Sequence, residues 1–163
     1  MSRPHIPPEL LAMMARGVSV IVASRDAELR PSMMRAMGSN VENDGQRITV
    51  FLSRAQSQQL LQDLAAGAPI AAVFSEPATH HCVQVKASRV AVRDAAPRDE
   101  PLLVRYLASM EREVQRVGFP PHLTRAMLAC RLPDLAAVEF EPEQAFDQTP
   151  GPRAGKPLMD GAP

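Results

Sequence analysis

Tryptophan is absent from this 163-residue chain and tyrosine occurs once, at Tyr106, so few platforms exist for stacking the bases of a single-stranded nucleic acid. Net charge is absent too: 18 basic residues balance 18 acidic ones, and nothing draws the chain to nucleic acid or to an anionic membrane as a bulk partner. No apolar run approaches the roughly 20 residues that a membrane-spanning helix needs. The two cysteines, Cys82 and Cys130, lack C-x-x-C spacing, and no charged-then-apolar leader opens the chain. The expectation is therefore a cytoplasmic, reduced protein without a cysteine metal motif. There is no G-x-G-x-x-G after a strand, no P-loop and no repeat of solenoid period.

Hydrophobic residues make up 45% of the chain, enough to bury a real core within one domain. The stretch from Arg47 to Ser75 changes hydrophobic period twice. Ile48, Val50 and Leu52 alternate with Thr49, Phe51 and Ser53, the two-residue period of a strand. Ser53 lies three residues before Gln56, a capping-box spacing that predicts a helix from Arg54. Leu60, Leu61, Leu64, Ala65 and Ala68 share one face of that helix, and Gly67 followed by Pro69 stops it. Ile70 to Phe74 reads as a second strand. Such a junction presents a helix N-terminus with the Ser53 and Ser57 hydroxyls and the Arg54 guanidinium beside it, a candidate phosphate seat.

Around this unit, Pro8 to Gly17 predicts a short helix with prolines at its start and a glycine stop. Val18 to Ser24 predicts a β-branched strand, and Arg30 to Gly38 a second. Asn43-Asp44-Gly45 is a hairpin signal that pairs the second strand with the one at Ile48. Cys82 to about Arg93 predicts a long strand that can serve two sheets if it bends. After Pro97-Arg98-Asp99-Glu100-Pro101 comes a long helix with the stripe Leu103, Tyr106, Leu107, Met110, Val114 and Val117. A short helix from Pro120-Pro121 to Ala129 and a final strand from Leu135 to Phe140 complete a domain spanning residues 1–142. From Pro142 onward the chain is too rich in proline and glycine for regular structure, so 143–163 reads as a tail. Phe146 is expected to anchor it on the barrel or on a partner subunit, bringing Arg153 or Lys156 near a ligand cleft. This order of elements, dominated by antiparallel pairings, points to a small mainly β barrel with peripheral helices rather than a doubly wound sheet.

Taken together, Val18-Ser-Val-Ile-Val-Ala-Ser24, Arg30-Pro31, Asp44-Gly45, Val50-Phe-Leu-Ser-Arg-Ala-Gln-Ser-Gln-Gln59, Pro69-Ile-Ala-Ala-Val-Phe74 and His81-Cys-Val-Gln-Val-Lys-Ala87 resemble the pyridoxamine 5′-phosphate oxidase-like FMN-binding split-barrel superfamily. The resemblance runs from about Leu10 to Phe140 and is one of order and pattern. It implies a fold that is mainly β with peripheral helices, a six-stranded antiparallel split barrel, and a homodimer holding FMN in interface clefts, with FMN-dependent oxidoreductase activity on a small molecule. It also implies cofactor contacts from Arg35, Ser53, Arg54, Ser57, Gln58 and Gln59, with Gln84 facing the isoalloxazine. Gln58 and Gln59 stand where pyridoxamine phosphate oxidases carry a basic pair, so the positive charge falls to Arg35 and Arg54. The catalytic residues are not identified by it. The alternative is a non-catalytic split-barrel binding protein that holds haem, another ligand, or nothing.

Other constellations carry less. His80-His81 precedes a strand, where adjacent side chains point to opposite faces, so a structural or solvated role is expected over joint metal chelation. His5 and His122 are given no role. Met13, Met14, Met33, Met34 and Met37 read as core filler. Cys82 reads as buried, and Glu111, Arg112, Glu113 and Arg116 as the solvated face of the long helix.

Overall fold

The computed structural model describes residues 4–158, so the ends of the two expected segments, 1–3 and 159–163, lie outside the described residues. Helix α1 (Pro8–Arg16) leads into β1 (Ser19–Arg25) through Gly17, whose φ of +92° suits glycine. Strands β2 (Pro31–Arg35), β3 (Gly38–Glu42) and β4 (Arg47–Ser53) follow. Helix α2 (Gln58–Ala65) separates β4 from β5 (Ile70–Ser75). Then come β6 (Cys82–Ala87), β7 (Ala91–Asp94), α3 (Glu100–Arg116), α4 (Pro121–Met127), β8 (Leu135–Phe140), β9 (Gln144–Asp147) and β10 (Lys156–Pro157).

The strands form two antiparallel sheets, one of six in the order β10-β9-β6-β5-β1-β2 and one of four in the order β3-β4-β8-β7. The expected architecture is thus present in its coarse form, mainly β with peripheral helices. The strand count is larger than six, and the sheets stay separate rather than closing on each other.

Each excess strand has a physical cause. The expected second strand breaks at Ala36 and Met37: the Ala36 N–H donates to Val20 O in one sheet, and the Met37 N–H to Phe51 O in the other. The expected long strand likewise bends between Ala87 and Ala91, passing from the six-stranded sheet to the four-stranded one. Residues 144–147 and 156–157 are not irregular as expected: β9 pairs with β6, setting Phe146 opposite Gln84, and β10 pairs with β9. Sheet bonding satisfies the backbone there despite the proline and glycine content. The helix expected from Arg54 begins at Gln58, and Ser53 is the last residue of β4 rather than a cap.

The two sheets face each other across one core. Val20 and Val22 of β1, Ala72 and Phe74 of β5, and Val83 and Val85 of β6 meet Ile48, Val50 and Leu52 of β4. Strand β4 is buried on both faces, because Phe51 points the other way into a second cluster with Met37, Leu135 and Ala137 under α3. The Tyr106 hydroxyl of α3 donates to Val18 O at 2.8 Å, and burial pushes that phenol well above its ordinary pKa. Met13, Met14 and Met37 are core as expected; Met33 is 62% exposed, because its face of β2 looks outward.

Asp99, at the start of α3, accepts from Arg93 at 2.6 and 2.9 Å and from the Ala96 N–H at 2.8 Å, while Arg93 also reaches Glu139 at 2.6 Å. These bonds tie α3 to β7 and β8. Helix α3 crosses β3 closely at Gly38, where a Cβ would stand 2.7 Å from Leu103 Cδ2 and 3.3 Å from Phe51 Cδ2. Gly38→Val is expected to cost about 1–3 kcal/mol of stability through overpacking. A urea midpoint equal to that of the unaltered protein would show that α3 has room to shift.

Candidate functional site

The sequence-derived residues fall into two groups that the fold keeps apart. At the β4–α2 junction, Ser57 takes the N-cap position of α2 but its side chain makes no capping bond. Its hydroxyl is buried and has no partner among the described residues, the residue being 2% exposed. The N–H groups of Gln58 and Gln59 open the helix, a place where backbone donors lack partners within the helix itself. Arg54 reaches this end of β4, where its N–H donates to Asp134 O and its guanidinium pairs with Asp94. That partner is 91% exposed at its side chain. Gln58 is exposed, and Gln59 is spent within α2: its amide donates to Asp63 Oδ1 at 2.8 Å. Asp63, 5% exposed, also accepts from the Ser32 hydroxyl of β2 at 2.5 Å.

Arg35 and Gln84 lie elsewhere. Ser32 and Arg35 are an odd number of residues apart on β2, so their side chains leave opposite faces. Arg35 stands in a cross-strand row with Ile21, Val73, Gln84 and Phe146, each directly opposite the next across the six-stranded sheet. This row lies on the face turned away from the core. The structure brings Arg35 and Gln84 onto one surface, and it does not bring Arg35 to the junction. Gln84 Oε1 accepts from the Gln148 amide at 3.3 Å, and the Lys86 ammonium sits 5.0 Å from the Phe146 ring centroid.

At one end of this face, a cavity of about 570 Å³ opens between the sheet and the α3–α4 pair. Ser19, Arg35, Ser75 and Cys82 line the sheet side, and Met110, Val114, Val117, Phe119, Leu123 and Met127 the helix side. Arg35 donates to the Ser19 hydroxyl at 3.0 Å and has no carboxylate partner among the described residues. Cys82 is half-buried rather than buried, with its thiol 2.9 Å from the Ser75 hydroxyl.

Glu76 forms part of the cavity rim. Its carboxylate accepts from Arg16 of α1 at 2.5 Å, from Arg116 of α3 at 3.1 Å and from Thr79. The Thr79 hydroxyl, then the Arg116 and Arg16 guanidinium groups, hold the Glu76 carboxyl below its ordinary value of 4.5. Arg16 also donates to Glu113 at 3.1 Å, so this helix glutamate is buried, 4% exposed, and not on a solvated face as expected. None of this was legible beforehand, because the partners of Glu76 are 60 and 40 residues away. Asp63 carried a weak signal, four residues after Gln59 on a helix. The exposed His80 lines the cavity with a φ of +62°, and the exposed His81 has Nδ1 3.8 Å from Glu76. Among the described residues, no group of three or more His, Cys, Asp or Glu side chains could hold a metal ion, and no helix is long and apolar enough to cross a membrane.

Glu76 and Asp99 both have carboxyls lowered in the folded state, Asp99 chiefly by Arg93. Their stabilisation is complete above their unfolded values, 4.5 and 3.8, and is lost as pH falls below those through the lowered folded values. Denaturant midpoints measured from pH 7 to 3 are expected to hold steady and then drop below about pH 4.5, with the drop reduced in Glu76→Gln. An identical pH profile for that variant would remove Glu76 from the account.

No protein-family model matches the sequence, and no curated protein is significantly similar to it. Solved structures are similar in fold. One is a candidate pyridoxamine 5′-phosphate oxidase from Lactobacillus delbrueckii, with TM-score 0.56 and 14% identity over 87% of this chain and 93% of that one. An F420 reductase gives TM-score 0.59 at 11% identity, covering 86% and 98% of the two chains. HupZ of group A Streptococcus gives 0.55 at 11%, covering 92% and 100%. At such identities the likeness establishes the fold: this chain has the split-barrel fold of pyridoxamine 5′-phosphate oxidase-like proteins.

Proposed function

From that fold we propose that the chain is an FMN-binding protein of the pyridoxamine 5′-phosphate oxidase type, an oxidoreductase acting on a small molecule as a homodimer. The observation that carries this reading is the α2 N-terminus, which has no side-chain cap and a buried, unpartnered hydroxyl on Ser57. A helix N-terminus with free donors suits a phosphate. Ser53, Ser57 and the N–H groups of Gln58 and Gln59 supply the seat. Arg54 supplies charge, because its pair with Asp94 lies in solvent, and such pairs are worth about 0–1 kcal/mol, less than a phosphate contact. The Gln59 amide is committed to Asp63, so only its backbone serves.

The outward face of the six-stranded sheet favours a second copy as its cover. Ile21, Ala23, Ala71 and Val73 occupy its centre, where a solvated sheet face carries polar residues. Gln84 on this face stands in reach of a ring bound in a cleft between copies. FMN, when bound, supplies two-electron transfer; the protein binds its phosphate, orients the ring and excludes water.

Titration with FMN is expected to give binding that Arg54→Ala weakens by about 1.5–3 kcal/mol. Ser57→Ala should weaken it as well, whereas riboflavin, lacking the phosphate, should bind weakly and ignore both changes. Equal FMN affinity in the variants would place the phosphate elsewhere. Light scattering is expected to give twice the chain mass, and Val73→Arg to give the monomer; a monomeric unaltered protein would sink the interface cleft.

A non-catalytic binding protein is the second reading, favoured by the cavity beside Arg35. Haem in that role would need an axial side chain, and His80 lines the cavity. An absorbance scan separates the cases: flavin bands support the first reading, and a Soret band the second.

A further inference from the structure

The cavity between the six-stranded sheet and the α3–α4 pair uses none of the junction residues, so it does not depend on the phosphate seat. Its charge is simple to count. Glu76 on the rim, together with Glu113 behind it, is matched by Arg16 and Arg116 in one hydrogen-bonded cluster, which is neutral overall. Apart from the exposed His80 imidazole, the other polar groups of the lining, the Cys82 thiol and the Ser19 and Ser75 hydroxyls, add no charge. Arg35 is left as a single uncompensated guanidinium, half-buried, with a Ser19 hydroxyl as its partner. One polar group of the lining lacks a partner: Thr124, 1% exposed, makes no hydrogen bond through its hydroxyl among the described residues.

The opposite wall is apolar and open. Val117, Phe119, Leu123 and Met127 are 41, 54, 46 and 40% exposed, and all four line this cavity. Large apolar side chains gathered at the mouth of one cavity mark a place where apolar ligand surface is taken up. Two methionines, Met110 and Met127, let the wall adapt to shape.

We propose that this cavity is a second small-molecule site, selective for a monoanion with an apolar body, a carboxylate held by Arg35 and a hydrocarbon portion laid against α3 and α4. One guanidinium matches one carboxylate in a two-pronged hydrogen bond. A phosphate dianion would keep one negative charge unmatched beside the Glu76 carboxylate.

The test is calorimetric titration of the full chain at pH 8 with octanoate, octylamine and octyl phosphate, which share one tail. Octanoate is expected to bind at least about tenfold more tightly than octylamine, and octyl phosphate no more tightly than octanoate. Arg35→Gln should weaken octanoate binding by about tenfold or more. Leu123→Asp, a change at an exposed position that leaves the core intact, should weaken it from the other wall. Octylamine binding as tightly as octanoate, octyl phosphate binding tenfold more tightly, or unchanged octanoate affinity in both variants would each overturn the proposal. Octanoate binding by a protein that takes up no FMN would remove the flavin reading and leave this one; FMN uptake without octanoate binding would do the reverse.

Discussion

At Ala36 and Met37 two consecutive backbone N–H groups bond to different sheets, the first to Val20 O at 2.9 Å and the second to Phe51 O at 2.7 Å. Neither group is left unpaired at the crossing, so the chain can leave one sheet and join the other without burying an unsatisfied donor. Everything downstream depends on that crossing. It sets β3 beside β4, gives β4 a core on each side, and sends α2 back across to the first sheet. The strand-helix-strand unit is therefore not a parallel crossover: β4 and β5 lie in different sheets, and α2 carries the chain between them.

The split has chemical consequences. Because β2 ends at the crossing, Arg35 is its last residue and stands at the sheet edge, where α3 and α4 overhang. Because α2 returns against β2 from the inner side, Asp63 meets Ser32, and the junction and Arg35 end on opposite faces of one strand. Two candidate sites thus arise from one turn of the chain. One offers backbone donors and a hydroxyl at a helix end; the other offers one guanidinium against an apolar wall. The Arg16, Glu76, Glu113 and Arg116 cluster holds α1, the loop after β5 and α3 together, and so sets the height of that wall. The two glutamates are buried while both arginines stay partly in solvent, so the cluster joins these elements without burying its positive groups.

Local chemistry made much of the fold legible in the chain itself. Alternation marked β4, β6 and β8, β-branched and apolar runs marked β1 and β5, the proline starts and glycine stops marked α1 and α3, and Asp44-Gly45 marked the turn before β4, where both residues take positive φ. These signals act within a few residues, through side-chain period and backbone freedom, so order and type of element could be read without a partner. The Ser53 cap was misread because the same serine chemistry serves a strand end, and only the ladder between β4 and β8 shows that Ser53 is still extended.

What the chain alone determined is therefore the main helices and strands up to Phe140, their apolar faces and the residue types available at the junction. Tertiary structure alone decided which strand belongs to which sheet, that residues 144–147 add a strand beside β6, and that Arg35 looks into a cavity instead of toward Ser57. It also decided that Glu76 and Glu113 are buried. The reason is common to all of these. Each rests on hydrogen bonds or ion pairs between groups tens of residues apart, and the energy of such a contact depends on a chain crossing that no local period encodes.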